Sequence, residues 1–497
     1  MNEQLKRMEQ ALSQEDRRML QSVYEPQVVT IPPSDACCNM CVTSEGEIRI
    51  YGTMGKKEPT DMGTTVYLSS KDCGLSWKTH YMEHGVLGAA TYNPETGRYI
   101  AFHPQEHRPD RNALIGKEGT WAILSEKGHD SADYRLVKMS EREVFIMRPP
   151  MYLKSCKRWL IIGEYNYPER VNKTIVVFYS DDDGESWTER ELLPSAPPFV
   201  VKPPHKGPRW QQYSAEPTIA ELVDGELVMF VRTSQDYYYT YRSADHGDHW
   251  TGPEPSPFHG TITMPVLQKL SDGRIVFFWC NTQPMPELDH TQAFPPLTPR
   301  ELTGYSEDVF TNRDANHLAV TEDDMQSWIG LRELFLNPIR NNGDFRSIGG
   351  ANSKDKSVHQ AQMVELPYHK LLIHFGQNTS ARKVVLLDVN WLYEQERKED
   401  FRLGLQNVST QMYVKSNMGN YRGWSGHCAY NRTQGALLVP DPSGNAKEVL
   451  QICRIEDERL VYKKQGAVWN FPASKKGRVE VELRVVKSGV ALCLTDH

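Results

Sequence analysis

The chain lacks the features that mark several large classes of protein. It has no run of about 18 apolar residues of the kind that crosses a membrane as a helix. Its 57 basic and 64 acidic residues give a net charge of −7, without the basic excess of a nucleic-acid-binding protein. It also has no nucleotide-binding glycine loop, zinc-ligand spacing or EF-hand loop. We therefore expect no membrane partner, no nucleic-acid partner and no cofactor.

The N-terminus lacks the apolar core of a signal peptide, because charged residues recur from its third position onward. Its apolar residues have helical spacing instead, so a short amphipathic helix is predicted with one apolar side. That side consists of Leu5, Met8, Leu12 and Leu20.

The nine cysteines are odd in number and scattered, which favours reduced thiols and a cytoplasmic location. Cys37, Cys38 and Cys41 are close together in the sequence. No second Cys pair or His pair accompanies them, so we predict buried strand cysteines and no metal site.

The chain does contain one short pattern, S-x-D-x-G-x-x-W, which occurs four times. Ser and Asp side chains bond nearby backbone N–H groups, Gly accepts a positive φ, and the Trp packs as an anchor. A tight turn with an aromatic residue at a fixed offset, repeated at long intervals, indicates the blades of a β-propeller. The four copies, which we call Asp boxes, are 70–77 (SKDCGLSW), 180–187 (SDDDGESW), 243–250 (SADHGDHW) and a worn copy, 321–328 (TEDDMQSW).

The spacing of the boxes predicts six blades. The first two boxes lie 110 residues apart, which leaves room for a blade without a box around Trp121. One further unit fits after Trp328 and contains two apolar strand runs. We predict that the inner strands of the six blades begin near 35–41, 84–91, 148–153, 214–222, 261–267 and 358–366.

The predicted fold class is all-β, in three parts. Residues 1–26 form the helical segment and residues 27–395 the six-bladed propeller, followed by a charged helical link, EQERKED. Residues 396–497 contain short strand patterns and no box, which predicts a C-terminal β-sandwich. Carbohydrate binding, packing and homo-oligomer formation all stay open as roles for this last unit.

The boxes, their spacing and the segment from Ser214 to Arg232 resemble the sialidase (neuraminidase) superfamily over roughly residues 27–395. In that family a Glu at such a blade start activates a Tyr nucleophile, and an Arg at the end of the next strand is one of three that hold the substrate carboxylate. The resemblance implies Glu216 as base and Arg232 as a carboxylate clamp, although a structural ion pair is the alternative. It also implies Asp61, ahead of the first box, as general acid/base.

The chain departs from the family pattern in two places. Residues 34–41 (SDACCNMC) contain no Arg where sialidases have the first of the triad. Arg148 is a candidate replacement or a surface residue, and Arg313 is a candidate for the third Arg, shifted by about two positions. The sixth blade begins SVHQAQ at residues 357–362, without the nucleophilic Tyr. This pattern resembles a divergent bacterial sialidase-like branch.

Without the Tyr, the leading acid/base candidates are His359 and His317, because imidazole exchanges protons near neutral pH. Structural histidines are the alternative for both. Gln360 and Gln362 are candidate substrate contacts. Tyr237 is a candidate for stacking on a sugar ring, with packing between blades as the alternative.

Three functions follow as hypotheses. The first is a sialidase-like glycoside hydrolase, exo-acting on an acidic or otherwise unusual sugar. The second is a polysaccharide lyase acting on uronates, with His359, a Tyr of the 237–239 run and Arg232 in its site. The third is a propeller that binds carbohydrate without catalysis. All three predict a carbohydrate partner.

Overall fold

The computed structural model describes residues 3–492 except 35, 37, 55–63, 82–88, 104–117, 130–132, 167–172, 191–192, 201–213, 261, 283–312, 314, 337–356, 378–380, 406, 415–430, 454–465, 488 and 490. No helix within these ranges is long and apolar enough to cross a membrane. The described chain is mostly β-structure, as predicted.

The N-terminal segment forms two helices where the sequence predicted one. They are α1 (Glu3–Ala11) and α2 (Gln14–Ser22). The break occurs because Ser13 caps α2: its hydroxyl accepts the Asp16 N–H at 3.1 Å, and the Asp16 carboxylate accepts the Ser13 N–H at 3.3 Å. The predicted apolar side is confirmed, since all four of its residues are buried against strands of the propeller.

Six sheets follow in chain order, which confirms the predicted six-bladed propeller. Strand β1 (Gln27–Thr30) belongs to the last of them. Blade 1 contains β2 (Met40–Val42), β3 (Ile48–Met54), β4 (Thr64–Ser70) and β5 (Lys78–Tyr81). Blade 2 contains β6 (Thr91–Tyr92), β7 (Tyr99–His103), β8 (Thr120–Ser125) and β9 (Arg135–Ser140).

Blade 3 has a split inner edge, because two short strands pair with the same neighbour. It contains β10 (Val144–Phe145), β11 (Met151–Leu153), β12 (Arg158–Asn166), β13 (Lys173–Ser180) and β14 (Thr188–Glu189). Blade 4 contains β15 (Ala215–Glu221), β16 (Leu227–Arg232), β17 (Tyr237–Ser243) and β18 (Thr251–His259).

Blades 5 and 6 complete the ring. Blade 5 contains β19 (Val266–Lys269), β20 (Ile275–Trp279), β21 (Ala315–Thr321) and β22 (Ile329–Leu336). Blade 6 contains β23 (Ala361–Leu366), β24 (Lys370–Phe375) and β25 (Lys383–Asp388), and β1 pairs antiparallel with β25 as its outermost strand. The N-terminus therefore supplies the strand that closes the last blade.

The Asp boxes form the turns between the third and fourth strands of blades 1, 3, 4 and 5, as their pattern predicts. In the first box the Ser70 hydroxyl accepts the Gly74 N–H at 2.8 Å, and the Trp77 indole N–H donates to the Gly74 carbonyl at 3.0 Å. The other two intact boxes repeat these bonds. In the worn box Met325 takes the place of Gly and keeps the left-handed conformation, with φ 66°.

Box loops also contact the preceding blade. Arg98 of blade 2 donates to the carbonyl of Asp183 at 2.8 Å, and Arg158 of blade 3 donates to the carbonyl of His246 at 3.3 Å. The N–H of Val223 in blade 4 donates to the Asp324 carboxylate at 3.1 Å. The hydrophobic core fills the spaces between neighbouring blades, so these loops add polar contacts at the outer edge of an apolar interface.

The segment after blade 6 differs from the prediction. A short 3₁₀ helix (Val389–Tyr393) ends blade 6, but the predicted helical link is wrong, because residues 394–400 are irregular. The reason is tertiary: Glu394 accepts hydrogen bonds from Arg332 of blade 5 and from Arg397. These contacts hold the segment against the propeller.

The described part of the C-terminal unit forms three two-stranded ladders. They pair β26 (Val408–Ser409) with β31 (Val468–Trp469), β27 (Gln411–Val414) with β28 (Asn431–Gln434), and β29 (Leu437–Pro440) with β30 (Glu448–Gln451). Residues 478–487, which have an apolar-polar alternation, form no strand and expose their apolar side chains. The sandwich and the boundary at residue 396 stay predictions.

Candidate functional site

The antiparallel register brings distant parts of the chain to one edge of the propeller. In blade 4 Ala215, at the start of the inner strand, pairs with Arg232, at the end of the second strand. The Asp box of the same blade lies at the other end of its strands. Glu216 and Arg232 therefore lie at the end of blade 4 that faces away from the boxes, where its inner strand begins.

Strained backbone occurs at four of the inner-strand starts, as it also does in the box turns. A residue other than Gly with φ near +50° is costly and marks positions that the surrounding structure must hold in place. Four such residues occur at the inner-strand starts of blades 1, 4, 5 and 6: Cys38 (φ 49°), Glu216 (φ 46°), Ile262 (φ 52°) and Gln360 (φ 60°).

Glu216 and Arg232 form a buried ion pair. Nη1 of Arg232 donates to Oε2 of Glu216 at 2.8 Å, and both residues are less than 10% exposed. Burial alone would raise the pKa of the Glu216 carboxyl. The charges of Arg232 and Lys173, a hydrogen bond from Arg232 and the charge of Arg313 outweigh this effect and hold the pKa below its usual range. Glu216 is therefore an ionised carboxylate, able to accept a proton but not to donate one.

Blade 3 contributes two charged residues that the sequence reasoning missed. The Glu164 carboxylate is buried and pairs with the Lys173 ammonium, while its Oε2 accepts the backbone N–H of Glu216 at 2.7 Å. The sequence signal that could have identified Glu164 is its position near the end of a strand pattern that is rich in apolar residues, 158–166 (RWLIIGEYN). Such a residue requires a partner when it is buried.

His359 and Arg313 bring blades 5 and 6 into the same cluster. Nη1 of Arg313 lies 3.4 Å from Nε2 of His359, and the charge of Arg313 also acts on Glu216. The N–H of Met264 donates to Nδ1 of His359 at 3.2 Å, so Nε2 carries the proton of the neutral ring and donates to Gln377 at 3.0 Å.

Arg148 extends across the channel below this cluster. It leaves blade 3 just before β11 and donates to the carbonyl of Ala361 in blade 6 at 2.5 Å and to that of Pro265 beside blade 5 at 2.9 Å. Arg148 is therefore bound to backbone of the inner strands and is not a simple surface residue. Its predicted role in holding substrate stays a prediction.

The two glutamines of blade 6 have different positions. Oε1 of Gln362 accepts the N–H groups of Asn39 and Met40, which joins blade 6 to the inner strand of blade 1. Gln360 is mostly buried, and its carbonyl accepts the N–H of Gly376. Gln362 thus contributes to ring closure, and the proposed substrate contacts of both residues stay predictions.

His317 and Tyr237 lie further from the axis, on the third strands of their blades. His317 packs against Trp279, with ring centroids 5.4 Å apart, and its Nδ1 accepts the N–H of Asn281 at 3.4 Å. Tyr237 is 38% exposed and stacks on His259 with centroids 4.4 Å apart. Asp61 lies outside the described residues.

Tyr238 is the tyrosine of its run that approaches the cluster. It points to the opposite face of β17 from Tyr237 and is fully buried, with its hydroxyl 2.6 Å from that of Thr263. Burial raises the pKa of Tyr238 well above its usual range. The hydroxyl therefore stays protonated, and Tyr238 does not replace the missing nucleophile as a phenolate.

Comparisons with known proteins agree with this architecture. A family model described as a BNR repeat-like domain matches residues 142–343. The matched residues contain blades 3, 4 and 5 and make up less than half of the chain. No curated protein sequence matches the chain.

Among solved structures, the chain is similar to a protein of unknown function from Dyadobacter fermentans, with 15% identity, a TM-score of 0.44 and coverage of 73% of this chain and 97% of that one. It is similar to the Hadza microbial sialidase Hz136, with 10% identity, a TM-score of 0.48 and coverage of 74% and 69%. It is also similar to a point mutant of the NanB sialidase from Streptococcus pneumoniae, with 12% identity, a TM-score of 0.45 and coverage of 76% and 73%.

The described cluster at the channel mouth contains more cations than carboxylates. Three cations, Lys173, Arg232 and Arg313, surround the carboxylates of Glu164 and Glu216. Such a site attracts an anion, and guanidinium groups match a carboxylate with two parallel hydrogen bonds. Among the described residues, no group of three His, Cys, Asp or Glu side chains could hold a metal ion.

Proposed function

We propose that the protein is a sialidase-like glycoside hydrolase that removes an acidic sugar from the end of a glycan. The observation that carries the proposal is the buried cluster at the channel mouth, where Glu216, Arg232, Arg313 and His359 converge from three blades. A function that needed only a scaffold would not require charges to be buried at such cost.

The excess of cations supports an anionic substrate. In the proposed complex Arg232 and Arg313 hold the carboxylate of the sugar, as Arg232 now holds Glu216. Arg148 joins blade 3 to backbone carbonyls of blades 5 and 6, which supports a rigid inner rim for the proposed site.

The chemistry that these residues support is activation of water. Ionised Glu216 accepts a proton from a water molecule, whose oxygen attacks the anomeric carbon while the glycosidic bond breaks. The leaving oxygen needs a proton, and Asp61 is the candidate donor. No Tyr phenolate is required in this scheme, in keeping with the His359 that begins blade 6.

A lyase is less well supported, because a lyase needs a basic group with a free lone pair. In the neutral ring of His359, Nδ1 accepts a hydrogen bond from the Met264 N–H and Nε2–H donates one to Gln377. Both ring nitrogens are therefore already engaged in hydrogen bonds. Carbohydrate binding without catalysis is distinguished from hydrolysis by experiment.

The test is to incubate the full-length protein with a panel of α-ketosidic and uronic-acid glycosides. Release of the free sugar by the wild type, lost in Glu216→Gln and retained in Glu365→Gln, is the expected result. Glu365 is a matched control, because it also accepts an N–H from a neighbouring blade (Ser271, 2.7 Å). It lies near the end of its strand, at the edge of the propeller where the boxes of the other blades are found. An unsaturated product that absorbs in the ultraviolet would instead show a lyase, and binding without turnover would overturn the hydrolase.

A further inference from the structure

The backbone of Glu216 leaves the regular strand ladder. In β15 two residues, Glu216 and Pro217, lie opposite the single residue Val231, because the register passes from Ala215↔Arg232 directly to Thr218↔Phe230. This arrangement is a β-bulge, and bulges redirect side chains next to functional sites. With φ 46°, Glu216 has a strained backbone conformation that its surroundings must stabilise.

The neighbouring blade provides the compensating contact. The Glu216 N–H donates to Oε2 of Glu164 at 2.7 Å, a hydrogen bond strengthened by the charge of the acceptor. The other oxygen of Glu164 is bound by Lys173. Glu164 is 1% exposed, so water does not compete for the bond.

We propose that Glu164 is a positioning residue for Glu216: its carboxylate holds the bulged backbone in the conformation that places the Glu216 side chain against Arg232. This inference deepens the proposed function and rests on it for its kinetic consequences. Lys173 has a second effect, since its charge acts on the Glu216 carboxyl. The other groups facing that carboxyl are Arg232, Arg313 and the hydroxyl of Tyr238.

The two residues can be separated by substitution. Glu164→Gln preserves the size of the side chain but removes the charge of the acceptor. Lys173→Gln leaves the bond from the Glu216 N–H in place and removes a cation that lowers the pKa of Glu216. Glu365→Gln again serves as the control, because it removes a similar N–H acceptor at the opposite end of the propeller.

The first readout needs no substrate. In deuterated full-length protein labelled with ¹⁵N-glutamate, the amide signal of Glu216 is assigned by its loss in Glu216→Gln. We expect Glu164→Gln to move this signal upfield and to speed its hydrogen exchange, while Glu365→Gln leaves it in place. An unmoved amide in folded Glu164→Gln would overturn the inference whatever the activity. If Glu164→Gln does not fold, Glu164→Asp is the second variant, because it keeps the charge but shortens the acceptor, and an unmoved Glu216 amide in it overturns the inference.

The second readout uses a glycoside that the wild type hydrolyses. Loss of position in Glu164→Gln should lower kcat on the order of 100-fold with little change in KM. Lys173→Gln should move the acidic limb of the pH profile to higher pH, because the pKa of Glu216 rises when the cation is removed. If Glu164→Gln shifts the Glu216 amide signal but the wild type hydrolyses no glycoside, the positioning of Glu216 is supported and the proposed hydrolase is overturned.

Discussion

The guanidinium of Arg232 and the carboxylate of Glu216 lie 2.8 Å apart at the end of adjacent strands, both shielded from solvent. Each charge is acceptable there only because the other is present, since an unpaired buried ion loses its hydration without compensation. A substrate carboxylate that binds Arg232 must therefore compete with Glu216 for it. This competition would release Glu216 to accept a proton from water at the moment when the substrate arrives.

Arg232→Met should destabilise the fold by about 3–5 kcal/mol, because it leaves the buried Glu216 carboxylate without its closest partner. Urea unfolding at neutral pH measures the loss. Arg242→Met is the control: Arg242 is 47% exposed and pairs with Glu226 on the same blade, so its removal should cost under about 1 kcal/mol. Equal losses of unfolding free energy in the two variants would show that the Glu216–Arg232 pair stabilises the fold no more than an exposed ion pair does.

The destabilisation by Arg232→Met should also depend on pH. Because the folded-state pKa of Glu216 lies below its unfolded value, the carboxylate contributes stability that is complete above about pH 4.3 and is lost as the pH falls through the folded pKa. In the variant the folded pKa rises and this contribution is reduced or reversed. The gap between the two proteins should therefore shrink from about pH 7 to about pH 3.5. A constant gap would contradict the pairing of charges.

Leu20→Ala should cost about 2–5 kcal/mol, although Leu20 lies outside the ring of sheets. Its side chain is fully buried among strands of blades 1 and 6, which the N-terminal segment joins. Met19→Ala is the neighbouring control, because Met19 is 44% exposed and its loss should change stability little. Thermal unfolding of the two variants decides whether the helices belong to the cooperative unit.

Gly247→Ala should be more destabilising than Gly97→Ala. Both glycines have positive φ, at 92° and 78°, so each alanine incurs a similar backbone cost of about 1 kcal/mol. Only at Gly247 would the new methyl group meet the neighbouring blade, 2.9 Å from Cδ1 of the buried Leu160. Overpacking should add about 1–3 kcal/mol. Equal unfolding free energies would show that the box loop can move away from blade 3.

Prediction from sequence succeeded where the physical cause is local. The four boxes satisfy their hydrogen bonds within eight residues, so the pattern of Ser, Asp, Gly and Trp is enough to place each turn and to count the blades. The resemblance to sialidases indicated Glu216 and Arg232 together, and the structure places them near the ends of two strands of one hairpin. Their pairing follows from the register of that hairpin.

The contacts that the sequence did not predict join residues far apart in the chain. Glu164 supports Glu216 from another blade, and Arg148 reaches carbonyls more than 100 positions away. No periodicity encodes such contacts, which arise only when the ring closes. The pairing of β1 with β25 has the same character, since it joins the two ends of the propeller.

His359→Gln should lower turnover of a glycoside that the wild type hydrolyses, because it disturbs the neighbouring Arg313, whereas His374→Gln should largely preserve it. The two histidines belong to one blade and are equally buried, so both substitutions should lower stability by about 1–3 kcal/mol. They differ in location: His359 lies at the channel mouth beside Arg313, and His374 bonds the carbonyl of Ser34 from the second strand. Steady-state kinetics, with each variant's unfolding curve measured alongside, separate lost chemistry from lost structure. Equal activities in the two variants would place His359 outside the reaction and leave Glu216 to act with the cations alone.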